Sequence, residues 1–161
     1  MKKTKSGIED LSKFMPASDE FEFRQFPFYW LMRVSNAYMI KMEKSRRNTS
    51  INSMAWRILL ILREEGALSV TDIAAHAVAK MPTITKSIYK LQIDELVEIK
   101  KCEKDGRVSI VVLTQTGQDA VSDIINGTKK TYEHIYDDLS VDEIEQLNAT
   151  LKKLFLNIDT H

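Results

Sequence analysis

A charged turn in the second half of the chain holds the residues best suited to contact a polyanion. Arg107 directly follows Asp105-Gly106, and Asp-Gly is the strongest short signal for a β-hairpin turn. A long cation at a narrow hairpin tip fits the minor groove of duplex DNA, where A·T tracts concentrate negative potential. We therefore predict DNA contact through Lys104, Asp105 and Arg107, with Asp105 mainly orienting Arg107. The plainer alternative is an exposed turn in which Arg107 only pairs with Asp105.

A second set of polar residues recurs at helical spacing upstream of this turn. Pro82 suits the first turn of a helix, and apolar residues at positions 84, 88 and 91 mark its inner face. An α-helix fits the major groove and presents side chains near its amino terminus to base edges. The outer face is either simply solvated or reads DNA, and the hairpin downstream favours the second. The residues predicted to contact DNA on this face are Thr83, Thr85, Lys86, Tyr89 and Lys90.

Ser69 begins the sequence Ser69-Val70-Thr71-Asp72, which is typical of a capped helix start. We predict that Ser69 caps a short helix over residues 70–77. A helix amino terminus also attracts anions, so we include Ser69 among the predicted DNA contacts, as part of a phosphate-binding position.

The elements that must position these residues follow from the periodicity of the apolar side chains. The period is helical along most of the chain and switches to two only around the Asp-Gly turn. The predicted order is α-α-α-α-β-β-α-α, a mainly helical chain with one small β-hairpin wing. Two short helices followed by a charged hairpin form a winged helix-turn-helix. The predicted helices cover about residues 26–43, 53–65, 70–77, 82–96, 114–136 and 140–156, and the predicted strands cover 97–100 and 108–113.

The composition describes a folded chain with no excess of either charge. The 161 residues suit one domain, and Lys+Arg and Asp+Glu are equal at 23 each. DNA binding must therefore depend on segregated charge. This balance keeps open an alternative function, a winged-helix module that binds protein and senses no ligand.

Other classes of protein lack support in the sequence. The single cysteine, Cys102, rules out an internal disulfide and fits a cytoplasmic protein. Three histidines without ligand spacing predict no metal site, and the apolar runs are too short for a membrane span. Without a phosphate loop or a nucleophile–base set, we predict neither an enzyme nor a cofactor.

Five segments in register make residues 28–158 similar to the MarR family of winged helix-turn-helix regulators. Three residues depart from the family pattern: Lys86 replaces a usual Arg, Pro82 replaces a small polar residue, and Glu95 stands where Gly commonly ends the recognition helix. Glu95 must therefore adopt a left-handed conformation or shift the helix end. The matching segments are Trp56-Arg57-Ile58-Leu59, Leu68-Ser69-Val70-Thr71-Asp72-Ile73-Ala74, Thr83-Ile84-Thr85-Lys86-Ser87-Ile88, Asp105-Gly106-Arg107, and Val111-Val112-Leu113-Thr114 with Gly117.

The resemblance implies a homodimer that represses transcription from a palindromic operator. Residues 21–50 and 114–161 would be dimerisation helices, residues 51–113 the DNA-binding region, and residues 1–20 an amino-terminal arm. The dense apolar residues at 26–43 cover more than one helical face, so that helix needs a second subunit against it. Two recognition helices would lie about 34 Å apart, one turn of duplex.

The resemblance also implies release of DNA by a small ligand, and we expect an aromatic acid. An apolar wall with one buried cation suits an aromatic carboxylate, since the ring stacks and the guanidinium pairs with the carboxylate. Arg33, in the most aromatic stretch, is the best single candidate. The plain alternative is core aromatics with surface arginines. The predicted ligand-binding residues are Trp30, Arg33, Trp56 and Arg57.

Overall fold

The computed structural model describes residues 10–46, 49–102 and 105–159. The chain divides into two compact units, Met1–Val121 and Ser122–His161. The predicted mainly helical winged helix-turn-helix fold is confirmed. No helix in the described part of the chain has the length and apolar character to cross a membrane. Two 3-10 turns, Ser12–Phe14 and Phe23–Gln25, come first. The helices are α1 (Pro27–Ser45), α2 (Ser53–Glu65), α3 (Val70–Ala77), α4 (Met81–Ile93), α5 (Gln115–Ile135) and α6 (Val141–Asp159). The strands are β1 (Leu68–Ser69), β2 (Val97–Lys101) and β3 (Ser109–Leu113).

Helices α2, α3 and α4 pack on one another, and each of them also contacts the sheet. The side chains predicted to form the inner face of α4, Ile84, Ile88 and Leu91, are fully buried. Each such burial stabilises the fold by about 1.5–3 kcal/mol. This core holds α4 with its polar face outward. The other side chains almost completely removed from solvent in these elements are Ile58, Leu59, Ile73, Val97 and Val111.

Three antiparallel strands form a small sheet in the order β1-β3-β2. Strands β2 and β3 make the predicted hairpin, from the pair Val97 and Leu113 to the pair Lys101 and Ser109. Strand β1 lies on the other edge of β3, with Ser69 opposite Ile110. The sequence did not predict β1, because two residues are too few to show a strand period.

The predicted helix starts and stops have clear backbone causes. The Asn52 side chain accepts a hydrogen bond from the backbone N–H of Ala55 (2.9 Å) and caps α2, while Gly66 ends that helix at φ 78°. Glu95 takes the left-handed conformation, φ 58°, as its place in the family pattern predicts. The Thr114 hydroxyl accepts from the N–H of Gly117 (2.9 Å) and caps α5.

Helix α1 leaves much of its apolar surface uncovered within this chain. Its buried apolar residue is Met42, near the end of the helix. An apolar helix exposed to this extent needs further apolar surface against it. The large apolar side chains of α1 that are exposed are Phe28, Trp30, Met32, Val34 and Ile40.

In the second unit, α6 begins with a capping box. The backbone N–H of Ser140 donates to the Glu143 carboxylate (2.8 Å), and the N–H of Glu143 donates back to the Ser140 hydroxyl (3.3 Å). The hydrogen bond from the Ser140 backbone, together with one from its hydroxyl, holds the pKa of Glu143 below its ordinary value. Two otherwise unpaired backbone donors are satisfied, which fixes where α6 starts.

Candidate nucleic-acid interface

Helix α4 carries the polar face that the sequence predicts to read DNA. Pro82 lies in its first turn, where a missing N–H costs nothing. Thr85 is half-buried, and with Tyr89 it lines a small cleft against the sheet residues Ile99 and Ser109. The helix therefore offers an exposed surface that runs from its first turn to its last turn. The exposed predicted contacts are Thr83, Lys86, Tyr89 and Lys90.

A tight and strained turn joins α3 to α4. Val78 ends α3 in the left-handed conformation, φ 48°, which is unfavourable for a β-branched residue. Its N–H donates to the carbonyl of Ala75 (3.1 Å), and that of Ala79 donates to the carbonyl of Ala74 (3.1 Å). This turn lets α4 cross α3 within three residues and sets the angle at which α4 is presented.

Arg57, predicted to contact a ligand, contacts the end of α3 in this structure, and its role toward a ligand stays a prediction. One of its guanidinium nitrogens donates to the carbonyl oxygen of Ala77 (3.0 Å) at the end of α3. A cation at a helix carboxyl terminus satisfies an unpaired carbonyl and favours the helix dipole. Arg57 therefore connects α2 to the carboxyl end of α3.

Ser69 caps α3 as predicted. Its hydroxyl accepts from the N–H of Asp72 (3.1 Å) and donates to the Asp72 carboxylate (2.6 Å). Ser69 also belongs to β1, so the helix start is attached to the sheet edge. Whether a phosphate sits there stays a prediction.

The wing tip has the predicted arrangement of Asp105 and Arg107. The Asp105 carboxylate accepts from the backbone N–H (3.0 Å), Nε (3.1 Å) and a terminal nitrogen (3.3 Å) of Arg107. The side-chain bond from Arg107 comes first among the causes that lower the pKa of Asp105. The Arg107 side chain remains 92% exposed, so its outer face is available to a phosphate or a groove. Lys104 lies outside the described residues.

A basic groove runs between the amino-terminal end of α2 and the outer face of α4. Its volume is about 530 Å³, and it places the α2 cap Asn52 beside Lys86 and Lys90 of α4. A helix amino terminus next to two cations attracts anions such as phosphates. The remaining residues that line the groove are Ala55, Pro82, Thr83 and Ser87.

Two predicted ligand-binding residues, Trp30 and Arg33, form an exposed cluster with Tyr29. The Arg33 guanidinium donates to the Tyr29 hydroxyl (2.9 Å) and lies 5.4 Å from the Tyr29 ring centre and 5.8 Å from that of Trp30. The Trp30 indole donates to the carbonyl of Arg24 (2.9 Å). Both residues are exposed, so within this chain they do not form the enclosed apolar wall that an aromatic acid needs.

Trp56 belongs to a different cluster, around the buried guanidinium of Arg46. Arg46 is 4% exposed and Trp56 is 6% exposed, and the guanidinium carbon lies 5.9 Å from the Trp56 ring centre. A terminal nitrogen of Arg46 donates to the Ser53 hydroxyl at 3.3 Å. Arg46 Nε and Trp56 Nε1 are both buried and have no hydrogen-bond acceptor among the described residues.

This cluster borders a cavity of about 370 Å³ between the end of α1 and the start of α2. Within the described residues, no carboxylate forms an ion pair with Arg46, although Glu43 lines the same cavity. A buried guanidinium Nε–H and a buried indole N–H without acceptors are costly. Both gain most from a ligand that brings an acceptor oxygen.

Sequence reasoning missed Arg46 because of where it stands in the chain. Residues 44–50 form a polar stretch that interrupts the helical period, and an Arg in such a stretch is usually solvated. No local pattern links it to Trp56. Only the turn of the chain between α1 and α2 brings the two side chains together.

The chain resembles known transcriptional regulators in sequence and in fold. The model of the MarR family matches residues 51–109. The transcriptional repressor IacR of Pseudomonas putida is 37% identical over 145 residues, which cover 90% of this chain and 87% of that protein. The homoprotocatechuate degradative operon repressor of Escherichia coli is 24% identical over 123 residues, which cover 76% of this chain and 83% of that protein.

Among solved structures, NadR in complex with 4-hydroxyphenylacetate has the same fold. Its TM-score is 0.75 at 24% identity, over 87% of this chain and 97% of the NadR chain. The two curated relatives are repressors, and the likeness to IacR extends over most of both proteins. This chain is therefore a transcriptional regulator and not an enzyme, and it belongs to the MarR family.

Proposed function

We propose that this regulator represses transcription by binding a palindromic operator with α4 in the major groove and the wing tip in the minor groove. The observation that carries the proposal is the highly exposed Arg107, oriented by Asp105 at the tip of the hairpin. Minor grooves of A·T tracts attract such a cation. The exposed face of α4, with Lys86 and Lys90, supplies the second contact.

A palindromic operator needs two DNA-binding regions. We propose that the chain forms a homodimer through its terminal helices. The support is the amount of apolar surface that α1 and α6 leave uncovered, since single-chain soluble proteins rarely expose so much. Packing such faces on a symmetric copy removes them from water. The exposed apolar residues of α6 are Val141, Leu147, Phe155, Leu156 and Ile158.

Operator binding by wild type and Lys86→Ala tests the DNA-binding proposal. Titration of DNA from the promoter of the protein's own gene, at salt concentrations from about 50 to 200 mM, gives the dependence of affinity on salt. Loss of one phosphate contact per subunit should reduce the slope of log affinity against log salt by about one for each subunit. Lys129→Ala, which removes an equal charge from α5, should leave the slope unchanged. Wild-type binding that ignores salt would contradict the proposal.

We propose further that a small aromatic carboxylate binds in the cavity lined by Arg46. The carboxylate would accept from Arg46 Nε, a buried donor that has no acceptor among the described residues. The fold neighbour NadR was solved with 4-hydroxyphenylacetate, and one repressor relative is named for the degradation of homoprotocatechuate, also an aromatic acid.

Arg33 is the less suitable anchor for such a ligand. Its guanidinium is exposed and already donates to Tyr29, so a carboxylate would gain little over water there. Arg46 is desolvated, where a charged hydrogen bond is stronger. The two arginines can be separated by experiment because their side chains have different partners.

Thermal unfolding with benzoate, phenylacetate, 4-hydroxyphenylacetate and homoprotocatechuate tests the ligand proposal. A ligand at a hundred times its dissociation constant should stabilise the wild type by about 2.7 kcal/mol. Arg46→Met should lose this stabilisation, whereas the matched variant Arg33→Met should keep it. The neutral amide of the tightest acid should not stabilise either protein. Stabilisation of Arg46→Met equal to that of wild type would place the ligand elsewhere.

A further inference from the structure

The segment between α1 and α2 is hydrogen-bonded to Arg46 at its start. The backbone N–H and the hydroxyl of Thr49 both donate to the Arg46 carbonyl oxygen, each at 2.9 Å. The N–H of Ile51 donates to the Thr49 hydroxyl at 3.3 Å. A displacement of Arg46 is therefore passed to the residues that follow it. We call residues 49–52 the linker.

The same linker is attached to the far end of the recognition helix. The Ser50 hydroxyl donates to the Asp94 carboxylate at 2.9 Å, across 44 positions of sequence. The Lys90 ammonium donates to the Ser50 carbonyl oxygen at 3.4 Å. Asp94 directly follows α4, and its own N–H donates to the Lys90 carbonyl oxygen (2.9 Å). Ser50 thus contacts both ends of the last turn of α4.

Ser50 and Arg46 also line one cavity, the cavity assigned above to the aromatic acid. We propose that the hydrogen bond between Ser50 and Asp94 is the connection by which an acid at Arg46 lowers operator affinity. This inference rests on the proposed ligand function, since it concerns the regulation of that site. Ser50 is a positioning residue: it acts on DNA through α4.

The mechanism requires two positions of the linker, one that favours binding of the acid and one that favours binding of the operator. A carboxylate on Arg46 Nε draws the guanidinium toward the cavity, and the Arg46 backbone carries Thr49 and the linker with it. The linker in turn displaces Asp94 and with it the last turn of α4, which bears Lys90. Because the coupling is reciprocal, acid changes operator affinity by the same factor by which the operator changes acid affinity. This factor cannot exceed the ratio of the acid's affinities for the two arrangements.

A double-mutant cycle on Ser50 and Asp94 tests this connection. Three quantities are measured for wild type, Ser50→Ala, Asp94→Ala and the double variant: acid affinity by calorimetry, operator affinity alone, and operator affinity with saturating acid. The acid is the one of the four named above that binds wild type most tightly. Ser50→Thr, which keeps the hydroxyl, serves as the conservative variant.

We expect wild type to lose operator affinity by about 5- to 150-fold when acid is added, the usual range for coupled sites. Asp94→Ala, whose side chain does not line the cavity, should bind acid within twofold of wild type. Asp94→Ala, Ser50→Ala and the double variant should each show a ligand effect below about twofold at saturating acid, whereas Ser50→Thr should restore the effect. Amide exchange at Asp94–Leu96 should respond to acid in wild type and not in Ser50→Ala.

Three outcomes would overturn the inference. If Ser50→Ala keeps the full ligand effect, the connection is wrong while the proposed function stands. If Ser50→Ala no longer binds acid, Ser50 is a ligand contact and not a connection. If no acid binds wild type or alters its operator affinity, the ligand function and this inference both fail.

Discussion

Gly117 in α5 lies directly against the carbonyl oxygen of Leu96. A Cβ atom at Gly117 would be 2.0 Å from that oxygen and 3.0 Å from its carbon. The N–H of Thr114 donates to the same oxygen (3.2 Å), and the Thr114 hydroxyl donates to the carbonyl of Glu95 (2.7 Å). The first turn of α5 is thus in contact with the backbone that leads into the wing.

Gly117→Ala should destabilise the protein by more than about 2 kcal/mol, because a backbone carbonyl cannot move aside as a flexible side chain can. Urea unfolding at fixed protein concentration measures the change. Gly127→Ala in the same helix is the control: no atom lies within 4 Å of the added methyl, so it should stabilise by roughly 0.5–1 kcal/mol. Equal effects of the two variants would contradict the close contact at Leu96.

Arg107→Ala should weaken operator binding by about tenfold or more, since loss of a groove contact costs about 1–3 kcal/mol. Fluorescence anisotropy with a labelled operator at constant salt measures this. Arg63→Ala removes the same charge from the last turn of α2, where Arg63 pairs only weakly with Glu64 (3.8 Å), and should change affinity less than twofold. Unchanged affinity of Arg107→Ala would favour the protein-binding alternative.

Val78→Gly should raise the free energy of unfolding by about 1 kcal/mol relative to Val78→Ala. Val78 holds φ 48°, a conformation that costs residues with a Cβ about 1–2 kcal/mol. Its side chain is 71% exposed, so little packing is lost with it. Thermal unfolding of the two variants side by side measures the difference. A less stable glycine variant would show that this turn is not strained.

The amino-terminal turn of α6 should loosen in acid. The pKa of Glu143 is lowered by its hydrogen bonds to Ser140, so this capping interaction stabilises the folded state above the ordinary glutamate pKa. It is lost as the pH falls through the lowered pKa of Glu143. Amide exchange of Ser140 should therefore quicken as the pH is lowered below the ordinary glutamate pKa, beyond the intrinsic change. Glu143→Gln, which has no titrating group, should show no such step.

The elements with local signals could be predicted from the sequence. Ser69 caps the helix that it was predicted to cap, because capping depends on residues three positions apart. Glu95 adopts the left-handed conformation that its position requires. The partnership of Asp105 with Arg107 is equally local.

The features that the sequence did not predict depend on residues far apart in the chain. Strand β1 exists only because β3 offers it a free edge. The burial of Arg46 depends on the Trp56 ring, and the contact of Ser50 with Asp94 joins segments 44 positions apart. The exposure of Arg33 is likewise outside what sequence shows, since an aromatic neighbourhood in sequence does not by itself form an enclosed site. The role of Arg33 toward a ligand stays a prediction.

The double role of Ser69 limits how the DNA-binding region can respond to an effector. Since one residue both pairs with β3 and caps α3, the wing cannot rotate relative to α3 without breaking the hydrogen bond of the cap. The wing and the start of α3 then move together. An effector at Arg46 that displaces the last turn of α4 would therefore leave the attachment of the wing to α3 unchanged.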